Sequence, residues 1–433
     1  MFDDLIRHLA TAIRAAVKKH KAQTNPAPVV RVTRLRRRDF NLRLRKNFGF
    51  ANFPAERIEE DVWESRDQTD FEESVLKKLP EYESLMSVVG ANLGSVERFA
   101  SFVTVQSFCG INDLELNQCV ADFGRELAGE PLPIKVTAFI SGLSVSESPL
   151  VISDDIRLRE PTPEDVTEFV NEQGFTFPLG VTSFDVIGEF VFDAAGTGEA
   201  QKQFLRIIEA LRLFRVGGIA ANRYEMSSNF SYMLGARHRL GAPDRHSPYS
   251  YEVSKADVPN VNEFIREVTS LLPDPFHMEE ATTETAIAYT RYRDAIFQEG
   301  PTERAITAAI TALEALFLED RPPGGASHRL AQRVSVFLRV LGTDPDALRT
   351  CDWVKKGYSV RNTFIHGGFV RPAERGKADA SAPILLEYAR KCILAFFQLT
   401  TPKPSLLTQI DKTMIDPTST QELEASLAQV KHK

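Results

Sequence analysis

An arginine, an amide and a histidine lie near the C-terminal end of the chain, directly before two glycines. They are Arg361, Asn362 and His366, followed by Gly367 and Gly368. A guanidinium group binds a phosphate through paired hydrogen bonds, and an imidazole accepts or donates a proton near neutral pH. These residue types at this spacing could hold a phosphate and move a proton. They predict a metal-independent RNA-cleaving site, or the remains of one.

The segment that positions these residues has the spacing of an amphipathic helix. Its apolar stripe consists of Trp353, Gly357, Val360 and Phe364. Asn362 and His366 are four residues apart and share another face. Arg361 and His366 are five apart, about 140° around an ideal helix, so they cannot meet on one rigid helix. They can converge if the last turn opens at the glycines, or if a second copy of the helix supplies the partner group. Gly367 is expected to be a left-handed C-cap, which puts His366 in the final turn.

Four flanking segments carry the same periodicity, and together with the motif segment they predict a five-helix bundle between residues 280 and 402. Their apolar positions are Tyr289, Tyr292 and Ile296; Ile306, Ile310, Leu313 and Phe317; Leu330, Val334, Phe337 and Leu341; and Leu385, Tyr388, Cys392, Phe396 and Leu399. Breaker residues predict loops at 320–325 and 371–383.

Three segments of this region resemble the HEPN superfamily, and its Apea-like branch in particular. They are Ala312–Leu318, Ser327–Arg333 and Tyr358–Gly368. The run from Arg361 to His366 is similar to the R-x4-6-H signature of that superfamily, with the polar residue that the signature favours after the arginine. The resemblance covers about residues 280 to 402 and implies a HEPN-type helical bundle there.

The resemblance implies a role for each residue of the signature. In active HEPN ribonucleases the histidine assists attack of a ribose 2′-hydroxyl on the adjacent phosphorus, and His366 takes that role here. Arg361 would hold the scissile phosphate, and Asn362 would orient the phosphate or the imidazole. No metal or other cofactor is needed, because the nucleophile belongs to the RNA, and DNA could not be cut this way. Since HEPN domains commonly pair with two motifs facing one cleft, a homodimer through the bundle is also expected.

The same residues can instead have a structural role. A histidine at a helix end beside two glycines can pack or cap, and Arg361 can neutralise a carboxylate inside the bundle. Glu314 is the candidate partner, although its stripe could face water. Because many HEPN domains bind without cutting, the alternative function is a non-catalytic dimerisation or RNA-binding module, with the activity in the N-terminal region.

Two groups of basic residues are weaker candidates for contacts with an RNA backbone. Arg329 and Arg333 are predicted on the solvated side of their helix. Residues 1–47 form a basic arm, with 13 Lys or Arg between residues 7 and 46 against one acidic residue. The candidates in this arm are Arg36, Arg37, Arg38, Arg43 and Arg45. The last two are expected on one face of a strand.

The arm begins with an amphipathic helix that allows three interpretations. Its apolar face consists of Phe2, Leu5, Ile6, Leu9, Ile13, Ala16 and Val17. Such a helix can dock or dimerise, lie on a membrane surface, or serve as a mitochondrial presequence. Asp3 and Asp4 argue against the presequence.

Length and composition predict two domains with extensions. The chain has 433 residues, of which 43% are hydrophobic and 26% charged, as in ordinary soluble globular proteins. Strand-like segments at 133–140 and 184–192 and a helix at 199–214 predict an α+β domain over residues 48–275. The predicted fold class is therefore α+β, with a mixed α/β N-terminal region, an all-α bundle and a tail at 403–433 that is either mobile or binds a partner.

Hydropathy and cysteine spacing predict the compartment. No stretch of 18 apolar residues is present, which argues against a membrane span, and the four cysteines are scattered, as in a reducing cytoplasm without structural zinc.

The favoured function is a HEPN-type endoribonuclease that acts as a bacterial defence or toxin effector. The N-terminal region would hold it in check until an activating ligand or phage component arrives.

Overall fold

A computed structural model describes most of the chain. The described residues are 2–23, 30–37, 55–62, 71, 73–89, 93–109, 113–163, 165, 185–228, 236–239, 247–276, 282–298, 300–319, 325–368, 372–416 and 418–431.

Over these residues the fold is α+β, as the sequence predicts. The helices are α1 (Phe2–Gln23), α2 (Pro80–Val89), α3 (Leu93–Cys109), α4 (Asp113–Leu127), α5 (Thr197–Phe214), α6 (Val258–Val268), α7 (Glu284–Ile296), α8 (Thr302–Phe317), α9 (Ala326–Val340), α10 (Ala347–Ile365), α11 (Pro372–Gln398), α12 (Lys403–Thr413) and α13 (Ser419–Leu427). The strands are β1 (Val30–Arg37), β2 (Ala55–Val62), β3 (Leu132–Ser141), β4 (Leu143–Val145), β5 (Leu150–Ser153), β6 (Ile156–Arg159), β7 (Val186–Ala194), β8 (Ala220–Ser228), β9 (Ala236–Arg239) and β10 (Tyr251–Val253).

The N-terminal helix α1 packs against α2, α3 and α4. Ile6, Leu9, Ile13 and Val17 on its apolar side are at most 1% exposed. The docking interpretation of this amphipathic helix is the one that the structure shows, because protein covers the face that a membrane surface would need.

A six-stranded antiparallel sheet forms the middle of the chain, in the order β5-β6-β7-β3-β8-β9. β3, β7 and α5 are the elements predicted from composition and periodicity. α5 contacts β3, β7 and β8, and α6 contacts β5. Phe204 of α5 and Tyr224 of β8 are fully buried, with ring centroids 4.9 Å apart. β4 and β10 form a separate parallel pair.

Helices α7 to α13 pack into a bundle around α8, which contacts α7, α9, α10, α11 and α12. The predicted apolar stripe of α8 is fully buried, with Ile306, Ile310, Leu313 and Phe317 at 0% exposure. The tail predicted as mobile or partner-binding belongs to this bundle, since α12 packs on α9 and α13 follows it.

The prediction of a loop is wrong for residues 372–383, and Arg371 lies outside the described residues. α11 begins at Pro372 and continues through Pro383. Ala378 and Ala382 are buried against the bundle. Alanine has the highest helix propensity, and this packing outweighs the one backbone hydrogen bond that a proline removes.

Buried polar groups join the bundle to the sheet region at the C-terminal end of α5. Arg390 of α11 donates to two carbonyl oxygens there, at 2.7 and 3.2 Å. Glu209 of α5 pairs with Arg212 at 2.6 Å and accepts from the Tyr289 hydroxyl of α7. Burial by itself would raise the pKa of Glu209, but Arg212 and Arg293 hold it below its usual value. The sheet region and the bundle are therefore one packed body.

Candidate functional site

Helix α10 carries Arg361 and Asn362, and His366 directly follows its last residue, Ile365; the helix lies along α8, α9 and α11. Its N-terminus is capped by Asp346, whose carboxylate accepts from the Arg349 amide at 3.0 Å. A Cβ at Gly357 would lie 2.6 Å from Cδ1 of Leu385 and 2.9 Å from Cδ1 of Ile310. Gly357 thus lets α10 approach α8 and α11 closely. The other members of the predicted stripe are half-buried.

The helix ends in a Schellman motif at the two glycines. The Gly368 amide donates to the Thr363 carbonyl at 2.8 Å, and the Gly367 amide donates to the Phe364 carbonyl at 3.1 Å. Gly367 has a φ of +76°, which glycine adopts without steric penalty. His366 is the residue before this turn, and it is exposed. The predicted left-handed conformation of Gly367 is confirmed, and His366 is the capping residue that follows the last residue of α10.

Arg361 lies on the inner side of α10 and is only partly bonded. Its Nη2 donates to Oε2 of Glu314 at 3.3 Å, and its Nη1 donates to Oδ1 of Asn362 at 3.1 Å. Its Nε is buried and has no hydrogen-bond partner among the described residues. The Arg361 and Glu314 side chains are 25% and 18% exposed. Glu314 is therefore the carboxylate that Arg361 neutralises, and its side chain faces α10 and is largely covered.

Arg361 and His366 do not share a face of α10. The helix stays regular through Ile365, so five residues turn His366 by about 140° from Arg361. Arg361 is directed toward α8, whereas the His366 side chain is exposed and bonds no other described residue. The last turn does not open, and one chain alone does not bring the two groups together.

Glu314, Tyr358, Arg361 and Asn362 form one contact group, which we call the Arg361 cluster. The guanidinium lies 5.5 Å from the Tyr358 ring centroid. Burial raises the pKa of the Glu314 carboxyl, and Arg361 and the Tyr358 hydroxyl offset that rise only in part. Burial likewise raises the pKa of Tyr358, and the charge of Glu314 adds to that rise. The one sequence signal for Tyr358 is its position three residues before Arg361, which places both side chains on one face of the helix.

The two weaker candidates on α9 differ in exposure. Arg333 is 2% exposed, and it donates to the Asp411 carboxylate at 2.8 and 2.7 Å and to the Phe317 carbonyl at 2.7 Å. The prediction that Arg333 lies on the solvated side is wrong, because α12 of the tail packs over that face and supplies Asp411. Arg329 is half-buried and pairs with Glu319 at 3.8 Å.

The first turn of α9 lies at the same end of the bundle as His366. α8 and α10 run in the same direction, since Arg361 bonds Glu314 and the residues one turn earlier on each helix also meet. Five further residues advance α10 by about 7.5 Å, which brings His366 about level with the C-terminal end of α8. Glu319 follows that end and pairs with Arg329. Of the weaker candidates for RNA contacts on α9, Arg329 is therefore the one that lies at the same end of the bundle as His366.

The candidates of the basic arm are described only in part. Arg36 and Arg37 lie in β1, which pairs with β2 in an antiparallel register that sets Arg31 opposite Asp61 and Arg36 opposite Glu56. The backbone thus pairs a basic strand with an acidic one. Arg38, Arg43 and Arg45, and the strand predicted around them, lie outside the described residues.

Comparison with protein-family models, with curated proteins and with solved structures finds no match to this chain. Within the described part of the chain, no three His, Cys, Asp or Glu side chains are grouped so that they could hold a metal ion. None of the helices described here has the length and apolar character needed to cross a membrane.

Proposed function

We propose that this chain is a metal-independent endoribonuclease of the HEPN type. The observation that carries the proposal is the placement of an exposed His366 at a capped helix end, one turn after an incompletely bonded Arg361. The resemblance of the surrounding segments to HEPN domains supports it. RNA is the proposed partner, and the cytoplasm is the proposed compartment.

In the proposed reaction His366 accepts the proton of a ribose 2′-hydroxyl. The 2′-oxygen forms a bond to the adjacent phosphorus, the bond from phosphorus to the 5′-oxygen breaks, and a proton goes to that leaving oxygen. The products are a 2′,3′-cyclic phosphate and a 5′-hydroxyl. Arg361 binds the phosphate oxygens as negative charge builds on them, and the Asn362 amide orients the phosphate.

A second copy of the chain would complete the site. Because Arg361 and His366 face different directions on one α10, we propose that His366 of one copy works with Arg361 of the other. Ile365, which directly precedes His366, is 51% exposed. An apolar side chain beside the motif is what a helix-to-helix contact between two copies would bury.

The test is incubation of the purified protein with total RNA and tRNA in EDTA, followed by analysis of the fragment ends. Arg361→Ala and His366→Ala should each lower the cleavage rate by about 100-fold or more. Arg361→Lys keeps the charge but loses the planar fork, so its rate should lie between those of the wild type and Arg361→Ala. His8→Ala removes an exposed histidine of α1 and is the matched control. Equal rates for the wild type and both motif variants would remove the proposal.

Mixing the two inactive variants tests the shared site. Random re-pairing makes half of the dimers mixed, and each mixed dimer holds one intact pair of Arg361 and His366. The mixture should therefore recover about a quarter of the wild-type rate if the site is shared between copies. No recovery, with both variants still dimeric, would place both groups in one copy.

The bond between Arg361 and Glu314 favours a second candidate function. An arginine that neutralises a carboxylate in the bundle is what a non-catalytic module would retain, and such a module would bind RNA or dimerise without cutting. RNA binding by the wild type without cleavage, in the presence of candidate activators such as phage lysate, would select this function. In the catalytic case we propose a bacterial defence or toxin effector, with the N-terminal region in the controlling role.

A further inference from the structure

Two other arginines of the bundle, Arg390 and Arg333, bind a carboxylate through two hydrogen bonds. Arg390 grips Glu387 with Nε at 2.7 Å and Nη2 at 2.6 Å. Arg333 grips Asp411 with Nε at 2.8 Å and Nη2 at 2.7 Å. In both pairs two parallel hydrogen bonds match the planar fork of the guanidinium to the two carboxylate oxygens.

Arg361 and Glu314 make a different contact. A single hydrogen bond joins them, at 3.3 Å, and Nη1 is turned to the neighbouring Asn362. Nε, which completes the fork in the other two pairs, has no hydrogen-bond partner among the described residues. Glu314 therefore engages the guanidinium through a single N–H, and the guanidinium keeps a donor that this carboxylate does not use.

The charge of Glu314 also opposes an incoming phosphate. The carboxylate is 18% exposed and bonds Arg361 directly, so a phosphodiester on the same guanidinium would lie within a few ångströms of a second negative charge. Such charges interact strongly where water is largely excluded. The Glu314 carboxylate and the phosphate would compete for the same guanidinium. Among the described residues, Arg361 is the cation that pairs with Glu314.

We infer that in the resting protein Glu314 occupies the guanidinium of Arg361 in place of the RNA phosphate, and that RNA has to displace this carboxylate to bind. This inference rests on the proposed function, because it takes Arg361 as the ligand of the phosphate. Glu314 is a positioning residue: it acts through Arg361 and touches no reacting atom. Its effect is to weaken RNA binding in the resting protein.

The experiment measures the Kd of a short single-stranded RNA that carries 2′-O-methyl groups throughout and so cannot be cut. Glu314→Gln keeps the shape of the side chain and its contact with Tyr358 but removes the charge, and it should tighten binding about tenfold. Glu314→Asp keeps the charge but sets it one methylene farther from Arg361, so its Kd should lie between those of the wild type and Glu314→Gln. Glu422→Gln is the control, because it neutralises an exposed carboxylate of α13, a helix that carries none of the candidate RNA-binding residues. Its Kd should change by less than about twofold.

Combination with Arg361→Ala decides whether the effect runs through the arginine. Glu314→Gln should tighten binding in the wild-type background and have no effect in the Arg361→Ala background. An unchanged Kd for Glu314→Gln overturns the inference, and so does the same gain in affinity with and without Arg361. Weaker RNA binding by a Glu314→Gln protein whose circular dichroism matches that of the wild type also overturns it.

The result is independent of catalysis. An Arg361-dependent gain in a protein that does not cut RNA keeps the inference and removes the nuclease. Cleavage that depends on His366 without such a gain keeps the nuclease and removes the inference.

Discussion

Replacing Arg361 with alanine should destabilise the bundle as well as weaken any RNA site. The replacement leaves the Glu314 carboxylate, 18% exposed, without its cation. A hydrogen bond between charged groups contributes about 1.5–3 kcal/mol, and partial exposure and the single 3.3 Å bond reduce that value. We expect the free energy of unfolding to fall by about 1–2 kcal/mol at neutral pH.

The size of this loss should depend on pH. The folded-state pKa of Glu314 is raised by burial, and removal of Arg361 takes away an interaction that lowers it. A carboxyl whose pKa is higher in the folded than in the unfolded chain binds its proton more tightly when folded. The free energy of unfolding therefore falls as the pH rises from the unfolded-state pKa through the folded-state pKa. The loss caused by Arg361→Ala should therefore be largest above the folded-state pKa of Glu314 and shrink as the carboxyl is protonated.

Urea denaturation followed by tryptophan fluorescence measures the effect where it occurs. The chain has two tryptophans, so a Trp63→Phe background leaves Trp353 of α10 as the reporter. Glu314→Gln alone and combined with Arg361→Ala completes a double-mutant cycle. If Arg361→Ala shifts the unfolding midpoint equally with Glu314 and with Gln at position 314, the pair contributes no stability and the argument is refuted.

Three further changes test the packing that positions the site. Arg333→Met removes the cation that pairs with Asp411 and should lower the free energy of unfolding by about 2–3 kcal/mol, a loss limited by the partial exposure of Asp411. It should also speed hydrogen exchange in α12, and unchanged exchange there would show that Arg333 does not hold α12 on α9. Gly357→Val should cost about 2 kcal/mol or more, because its side chain would collide with Leu385, and a urea midpoint equal to that of the wild type would show that α10 can shift. Gly367→Ala meets no atom within 4 Å, so only its φ of +76° is strained; we expect a loss of about 1 kcal/mol, and a larger shift of the midpoint would mean that the turn has other contacts.

The sequence allowed most of the bundle to be predicted, because helical periodicity reports which side of a helix is buried. The apolar positions chosen on α7, α8 and α9 are in the core. The end of α10 was also predictable, since a left-handed turn after His366 depends on the local preference of Gly367. Glu314 was a candidate partner for Arg361, but spacing along α8 could not tell whether it faced water or α10.

Local signals failed where distant segments decide the environment. Pro383 suggested a loop, yet burial of the alanines before it keeps α11 helical. Arg333 was expected in solvent, because nothing in its own helix indicates that a segment 78 residues later covers it and supplies Asp411.

The amino-acid sequence by itself determined which residues of this protein could do chemistry, where the helices run and where α10 stops, since these depend on residue type and on contacts within a few positions. Only the tertiary structure decided what each charged group faces. Arg361 points inward to Glu314 and His366 points outward, because the packing of α10 on α8 selects one side of the helix for burial, and the rigid helix turns a residue five positions later by about 140°.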